Sequence, residues 1–449
     1  MKTLVWFRGK DLRLRDHAPL RDALEKGEVV PLFVLDPYFF DPVRARELPN
    51  RMQYLLDALH ELEDRLIVVK GKSVEVVPKL AREWKVDRVV AHRWVEPFGR
   101  ERDRQVAEAL HVPFELFEGE TLLPPGTLRN GSGEPYSIYT PFSRSWHLAE
   151  HIGAALPAAR LPPQKNGTKV PTLEDLGLTR NPQLIQGGEK AAQARLAAFV
   201  KGPGKRYAEL RNRLDLAETS RLSADLKFGT LSARQVWNET EGFDTFRNEL
   251  VWREYAHSTL WDHPEALKTP LREAWRNFPF RDDRAGWTAW STGTTGYPVV
   301  DAAQRQLLGE GFIHNRARMI TASFLTRDLM IDFRKGEAWF MKWLVDGDWA
   351  NNDAGWQWSF GCGLDAQPYF RVFAPVPQGE KFDPTGEYVR RWVPELARVP
   401  QRWLHSPWLA PPLELMAAGV KLGSSYPHPI VDHADARQRF LSTIKRHLG

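Results

Sequence analysis

Residues 346–358 read DGDWANNDAGWQW. Two carboxylates, Asp346 and Asp348, precede two amides, Asn351 and Asn352, and Trp356 and Trp358 close the run. A buried amide or carboxylate costs free energy unless something hydrogen-bonds to it. A flat heteroaromatic ligand would satisfy the amides and stack near the indoles. The alternative is a surface loop following the helical pattern of residues 335–344.

The chain around this run, from about residue 203 onward, has helical periodicity and many tryptophans and arginines. The segment FRNELVWREYAH (246–257) places Glu249 and Trp252 three residues apart on one helical face. In FIHNRARMITASFL (312–325), Ile313, Ala317, Ile320 and Phe324 form an apolar stripe, with Asn315, Arg318 and Met319 on the other side. Such a helix either lines a site or simply turns its arginines to solvent. His314 faces about 100° away from Asn315 and reads as structural. TSRLS (219–223), taken alone, reads as a helix N-cap.

Farther upstream, residues 1–120 alternate short apolar runs with amphipathic segments. The runs at 3–7, 29–36, 66–71, 88–93 and 113–119 predict strands. Residues 52–62, 74–84 and 101–110 predict helices. This alternation predicts an α/β domain, a doubly wound parallel sheet with helices on both faces. Its strand-to-helix turns carry neither G-x-G-x-x-G nor G-x-x-x-x-G-K-[ST], so the usual dinucleotide and P-loop readings lack support. Residues 121–202 are rich in Pro, Gly and Ser and read as a surface connector with an extended YSIYTPF (136–142). The expected division is an α/β domain over 1–125, a connector over 126–202 and an all-α domain over 203–449.

Composition narrows the class. A length of 449 residues suits two or three domains. The net charge of +5 is small against 62 basic and 57 acidic residues, so charge alone is weak support for nucleic-acid binding. The single cysteine, Cys362, excludes an intramolecular disulfide and a cysteine zinc cluster, and no metal is expected. The first residues pass directly from a short apolar run into charges, unlike a signal peptide, and no uncharged apolar run approaches the roughly 18 residues of a membrane helix. A cytoplasmic protein is expected. Eighteen tryptophans fit large aromatic cores or a protein that stacks on flat ligands and moves electrons.

In order along the chain, VWFRGKDLRLRDH, TPFSRSW, TSRLSADLKFG, NELVWREY, TGYPVVDAA, HNRARMITASFL, DGDWANNDAGWQW and DAQPYFRVFAPVPQGEKFDPTGEYVRRWVPEL resemble the photolyase/cryptochrome family. Within it, the chain is most similar to class I cyclobutane-dimer photolyases. The resemblance implies an α/β antenna domain, a connector and a helical FAD-binding domain. The activity it implies is light-driven electron transfer from reduced FAD that splits cyclobutane pyrimidine dimers in DNA. The alternative is a cryptochrome photoreceptor of the same fold.

Carried over by position, Tyr207, Thr219, Ser220, Arg221, Leu222 and Ser223 match the FAD phosphate segment, and Phe246, Asn315, Arg318, Asp346, Asp348 and Asn352 match flavin contacts. Arg318 is expected to pair with Asp346. Asn352 matches the amide that faces flavin N5 in the family, where an amide oxygen can accept from N5–H without adding charge. Arg211, Glu249, Trp252, Asn315, Arg316, Met319 and Trp358 match lesion and DNA contacts, with Glu249 beside the base edge and the arginines on phosphates. The family flips its lesion out of the duplex, as general accounts of base flipping note for photolyases. Asn315 and Met319 stand where photolyases for the (6-4) lesion carry histidines, which favours the cyclobutane dimer.

Trp356 matches the proximal member of the family's electron-carrying tryptophans, but Phe333 and Phe280 fall at the next two positions. That predicts a slow photoreduction or another route, through Trp349, Trp339, Trp343 or a tyrosine. Asp353 is a carboxylate that the family pattern does not explain. Arg51 and residues 92–103 lie where a second, antenna chromophore (folate, deazaflavin or flavin) is usually held. A monomer acting on dimer-containing DNA, away from membranes, is expected.

Overall fold

The computed structural model describes residues 1–164 and 167–448. Five strands, β1 (Lys2–Phe7), β2 (Glu28–Leu35), β3 (Ile67–Lys70), β4 (Arg88–His92) and β5 (Phe114–Phe117), form a parallel sheet in the order β3-β2-β1-β4-β5. Each lies within a residue or two of its predicted run. The strands are near-continuous apolar runs because helices cover both faces. Side chains alternate accordingly: Leu4 and Trp6 pack with Leu32, Val77 and Val106 on one face, and Val5 and Phe7 pack with Phe33, Met52 and Leu55 on the other. Pro31 lies inside β2 opposite Val5 of β1, one residue before pairing with β3 begins at Leu32.

Helices Ala18–Lys26, Pro49–Leu62, Ser73–Glu83 and Pro97–Ala109 make the crossovers. From β1 the chain runs outward through β2 and β3, then returns to place β4 and β5 on the other side of β1. The order therefore reverses between β1 and β4, where open α/β sheets hold ligands at the strand carboxyl ends.

The chain packs into two compact units. One comprises Met1–Ala208, Thr219–Pro264 and Val345–Asn351; the other comprises Glu209–Glu218, Glu265–Leu344 and the chain from Asn352 onward. The connector differs from its predicted character. Ala159, Leu161, Val170, Leu173, Leu176 and Leu184 are buried in the core of the first unit, so the segment is a packed part of that unit and not only a surface strap. Residues 139–142, expected to be extended, begin the helix Tyr139–Ala149. Pro141 sits in its first turn, where the missing N–H would have had no intrahelical partner.

The second unit is helical. Its core gathers Trp290, Val300, Leu307, Ile313, Ile320, Phe324, Phe340, Trp356 and Phe440 from helices Arg284–Thr292, Pro298–Glu310, Asn315–Ser323, Phe333–Trp343 and Trp349–Phe360 and from the C-terminal helix. The predicted stripe of Ala317 and Ile320 is buried, while Asn315 is exposed and Arg318 and Met319 are half-buried. His314 is structural: its Nδ1 accepts from the Arg316 N–H at 3.0 Å as the N-cap.

Candidate functional site

The run 346–358 is a cap and a helix, and the surface-loop alternative falls. Asp348 Oδ1 accepts from the Asn351 N–H at 3.0 Å and from Asn351 Nδ2 at 2.8 Å, starting helix Trp349–Phe360. Asp346 and Asp348 are buried. Burial alone would raise the Asp348 pKa, but His257, Lys10, Lys227 and Arg253 outweigh it and hold the carboxyl well below the usual carboxylate range. Lys10 Nζ lies 3.5 Å from Asp348 and 2.8 Å from Glu96, and it also pairs with Glu120. Although burial would lower its pKa, these carboxylates raise it. Lys10 thus neutralises a carboxylate cluster of the first unit that the sequence reading did not connect.

Beyond the cap, the helix turns Asn352 and Trp356 to one face, four residues apart. Asn352 Nδ2 donates to the backbone carbonyl of Glu337 at 3.2 Å. Only the NH₂ end can donate to a carbonyl, so the amide oxygen is left as the acceptor end, as the N5-facing role requires. Trp356 is buried, with its ring 4.9 Å from Phe340 and 6.1 Å from Trp290. The indole fits there because residue 336 is glycine: a Cβ on Gly336 would come within 2.1 Å of Trp356 Cη2. Trp358 is half-buried on the same helix.

The remaining predicted residues are placed as follows. In the first unit, Tyr207 packs edge-on against buried Phe246 at 5.3 Å. Arg221 adopts a left-handed backbone (φ 52°) just before the short helix Ser223–Phe228, while Thr219 and Ser220 are half-buried and Leu222 is buried. Glu249 and Trp252 are half-buried on helix Asp244–Asp262. Tyr139 stacks on Trp252 with centroids 3.5 Å apart and planes 7° from parallel, and its hydroxyl donates to Asn248 Oδ1 at 2.6 Å. The sequence reading missed Tyr139 because it took that segment as extended. In the second unit, Arg318 Nε donates to the Ile313 carbonyl at 2.9 Å. Arg316 donates to Asn212 Oδ1 at 2.7 Å and lies over the Phe382 ring, and Arg211 is half-buried.

Phe333 and Phe280 are ring neighbours at 6.4 Å. A separate tryptophan series also starts at Trp356: Trp290 at 6.1 Å, Trp287 5.5 Å farther, Trp339 5.8 Å beyond, and Trp343 5.7 Å after that. Trp290 is fully buried, with its Nε1–H bonded to the Thr321 carbonyl at 3.0 Å, whereas Trp287, Trp339 and Trp343 are half-buried.

The first unit also holds a cleft of about 1030 Å³, counting its open mouth. Its walls follow the carboxyl ends of β1, β2 and β4 and include Arg51, Trp94, Glu96, Phe98 and Arg102, members of the segments assigned to antenna contacts. Burial lowers the pKa of Arg51 and of Arg102 to about 10 and that of Lys227 to about 8. Cations held in such a place favour an anionic ligand, and Trp6, Trp94 and Tyr38 supply flat apolar surface.

A cationic, aromatic cleft at a sheet's switch point and a helix presenting an anchored amide beside tryptophans define a protein built to hold flat aromatic cofactors. Residues 3–163 match the family model for DNA photolyase, and residues 246–446 match that for the FAD binding domain of DNA photolyase. The chain is 39% identical to the deoxyribodipyrimidine photo-lyase of Agrobacterium fabrum, over 98% of this chain and 96% of the relative. The crystal structure of a bacterial class III photolyase from Agrobacterium tumefaciens superposes with a TM-score of 0.91 at 38% identity, covering 99% of this chain and 97% of that one. The Synechocystis cryptochrome does so with 0.87 at 30%, covering 98% and 99%. The chain belongs to the photolyase/cryptochrome family.

Proposed function

We propose that this protein is a deoxyribodipyrimidine photo-lyase, a DNA-repair enzyme that splits cyclobutane pyrimidine dimers with light. The observation that carries the reading is the anchored Asn352 amide on a helix shared with Trp356 and Trp358, within a chain that matches photo-lyases over nearly its whole length. FAD, when bound in its reduced form, would supply the electron for opening the cyclobutane ring.

The residues present fit that group. Tyr207, Thr219, Ser220, Arg221, Leu222, Ser223, Phe246, Asn315, Arg318, Asp346, Asp348 and Asn352 would hold it. Asn352 offers its oxygen to N5–H because its NH₂ is already committed to Glu337. Asp348 stays ionised through Lys10 and His257. Toward DNA, Trp252 and Trp358 would each offer an apolar face to the lesion, and Tyr139 stacks on the Trp252 ring and holds it flat. Met319 and Asn315 would contact the lesion, Glu249 its base edge, and Arg211 and Arg316 the phosphates. Trp290, Trp287, Trp339 and Trp343 line up behind Trp356 and would carry electrons toward a bound cofactor in place of Phe333 and Phe280, because phenylalanine is much harder to oxidise than tryptophan.

The cleft of the first unit takes the second chromophore, a flat anionic pigment of the folate, deazaflavin or flavin kind. Among the described residues no helix is long and apolar enough to cross a membrane. The lone buried Cys362 suits a monomer working in a reducing cytoplasm.

The cryptochrome likeness makes a photoreceptor the second reading. Dimer-containing oligonucleotide exposed to reduced protein with and without light separates the two. Light-dependent loss of dimer is expected, and its absence sinks the repair reading.

A further inference from the structure

Behind Asn352 lies a pair of acids that neither the fold nor the repair chemistry assigns. Glu337 and Asp353 are 5% and 3% exposed. They belong to helices Phe333–Trp343 and Trp349–Phe360, which meet where Asn352 Nδ2 donates to the carbonyl of Glu337 itself. Glu337 Oε1 is buried without a hydrogen-bond partner. Asp353 accepts from Gln357 Nε2 at 3.1 and 3.3 Å, and Gln357 is fixed in turn by the Ala266 carbonyl at 3.1 Å and the Leu271 N–H at 2.9 Å.

The charges facing the pair do not neutralise it. Glu337 feels Asp353 from the neighbouring helix and Asp332 from its own, and against these only Arg334, an exposed residue already bonded to Asp332. Asp353 faces Gln357 and acts on the buried Cys362 thiol, which Arg272 approaches from the loop before helix Arg284–Thr292. Two buried carboxyls without a cation cannot both be ionised cheaply. At least one of them keeps a proton.

We propose that the buried acids Glu337 and Asp353 act as a dyad that together retains one proton at neutral pH, and that the dyad sets the charge behind the flavin-facing amide of Asn352. The second half rests on the flavin reading given above; the first does not. Burial together with Asp353 pushes Glu337 up to about 8, and burial pushes Asp353 up to about 6. The two steps belong to the pair and not to either residue alone. The dyad is neutral in mild acid, carries one negative charge near pH 7 and two in alkali. Each proton leaves to solvent, and no other bond is made or broken. Each added negative charge beside the amide disfavours an electron-rich cofactor there. Asp353, a departure from the family pattern, thereby makes this protein's cofactor potential more sensitive to pH than Glu337 alone would.

The test uses the flavin-bound protein and the near-isosteric variants Glu337→Gln and Asp353→Asn. Infrared spectra titrated from pH 5 to pH 9 should show a carboxylic C=O band present at pH 7 and lost in alkali. That band should be absent in Glu337→Gln and should titrate at lower pH in Asp353→Asn. Absence of the band in the parent at pH 7, or its persistence in Glu337→Gln, overturns the dyad whatever the flavin does. Spectroelectrochemistry then reads the coupling. The flavin midpoint potential should fall with pH more steeply in the parent than in either variant between about pH 6 and pH 8. Equal slopes in all three overturn the coupling while leaving the dyad in place. A protein that shows the dyad band but retains no FAD overturns the flavin reading alone.

Discussion

Replacing Gly336 by alanine tests whether Trp356 is held as rigidly as its proposed role needs. At an unobstructed position inside a helix, glycine to alanine gains about 1 kcal/mol. Here the new Cβ would lie 2.1 Å from Trp356 Cη2 and 2.6 Å from both Trp356 Cζ3 and Leu325 Cδ2. Ordinary contact begins near 3.4 Å, so the indole must retreat by more than about 1 Å. Phe340 and Trp290 stand behind it at 4.9 and 6.1 Å, and it is only 2% exposed. Overpacking of this kind costs about 1–3 kcal/mol, which outweighs the helical gain and leaves Gly336→Ala about 1 kcal/mol less stable than the parent.

Urea unfolding followed through the second unit's tryptophans reads this as a lower midpoint at unchanged slope. The cause can be isolated with Trp356→Phe, which removes the outer ring that the Cβ would strike. In the double variant the two costs should not add, with a favourable coupling on the order of 1 kcal/mol. A Gly336→Ala protein as stable as the parent, or strictly additive costs, would refute the reasoning.

Other consequences follow from single contacts. Trp290→Phe should slow photoreduction of the oxidised enzyme severalfold or more in transient absorption while leaving dimer splitting by pre-reduced enzyme intact, whereas Phe333→Ala should leave the tryptophan signal in place; the opposite pattern would restore the phenylalanine positions as the route. Asn352→Ala should leave FAD bound but shorten the lifetime of its reduced form in air, and an unchanged lifetime would remove the N5 assignment. Because Glu337 binds its proton more tightly folded than unfolded, its contribution to stability is full below about pH 4.5 and is lost as pH rises to about 8. That contribution is on the order of 5 kcal/mol at most, and Glu337→Gln should flatten the urea midpoint across this window; a parallel pH profile in the variant would contradict the raised affinity. Lys10→Met should expose the uncompensated charges of Glu96, Glu120 and Asp348 and cost about 3–5 kcal/mol, as removal of one partner from a buried ionic cluster does, with a near-neutral result ruling out its neutralising role.

The strands of residues 1–120 were legible in the sequence alone. A buried parallel strand is a local pattern of consecutive apolar residues, and a crossover helix is a local pattern of periodicity 3.6. The strands could therefore be read along the chain to within a residue or two, while the helix patterns of 52–62 and 101–110 begin three and four residues late and the crossover helix Ala18–Lys26 was not marked by its pattern. Residue order also preserved the site inventory: Asp348, Asn352, Trp356 and Trp358 are legible as a run because one helix and its cap carry them.

What no local pattern could reveal was which distant side chains meet that helix. Lys10 reaches Asp348 across more than three hundred residues of sequence. Tyr139 stacks on Trp252 and Trp290 lies against Trp356 only because chain segments far apart in sequence pack together, and Glu337 meets Asn352 through the packing of two successive helices. The connector was misjudged for the same reason. Its Pro- and Gly-rich composition says that it turns often, but whether Leu161 or Leu176 is then buried depends on the surface it crosses. Asp353 is the clearest instance. In the sequence it is one more acid beside two amides; only its burial, with an amide and no cation as its hydrogen-bond partner, gives its proton a reason to stay.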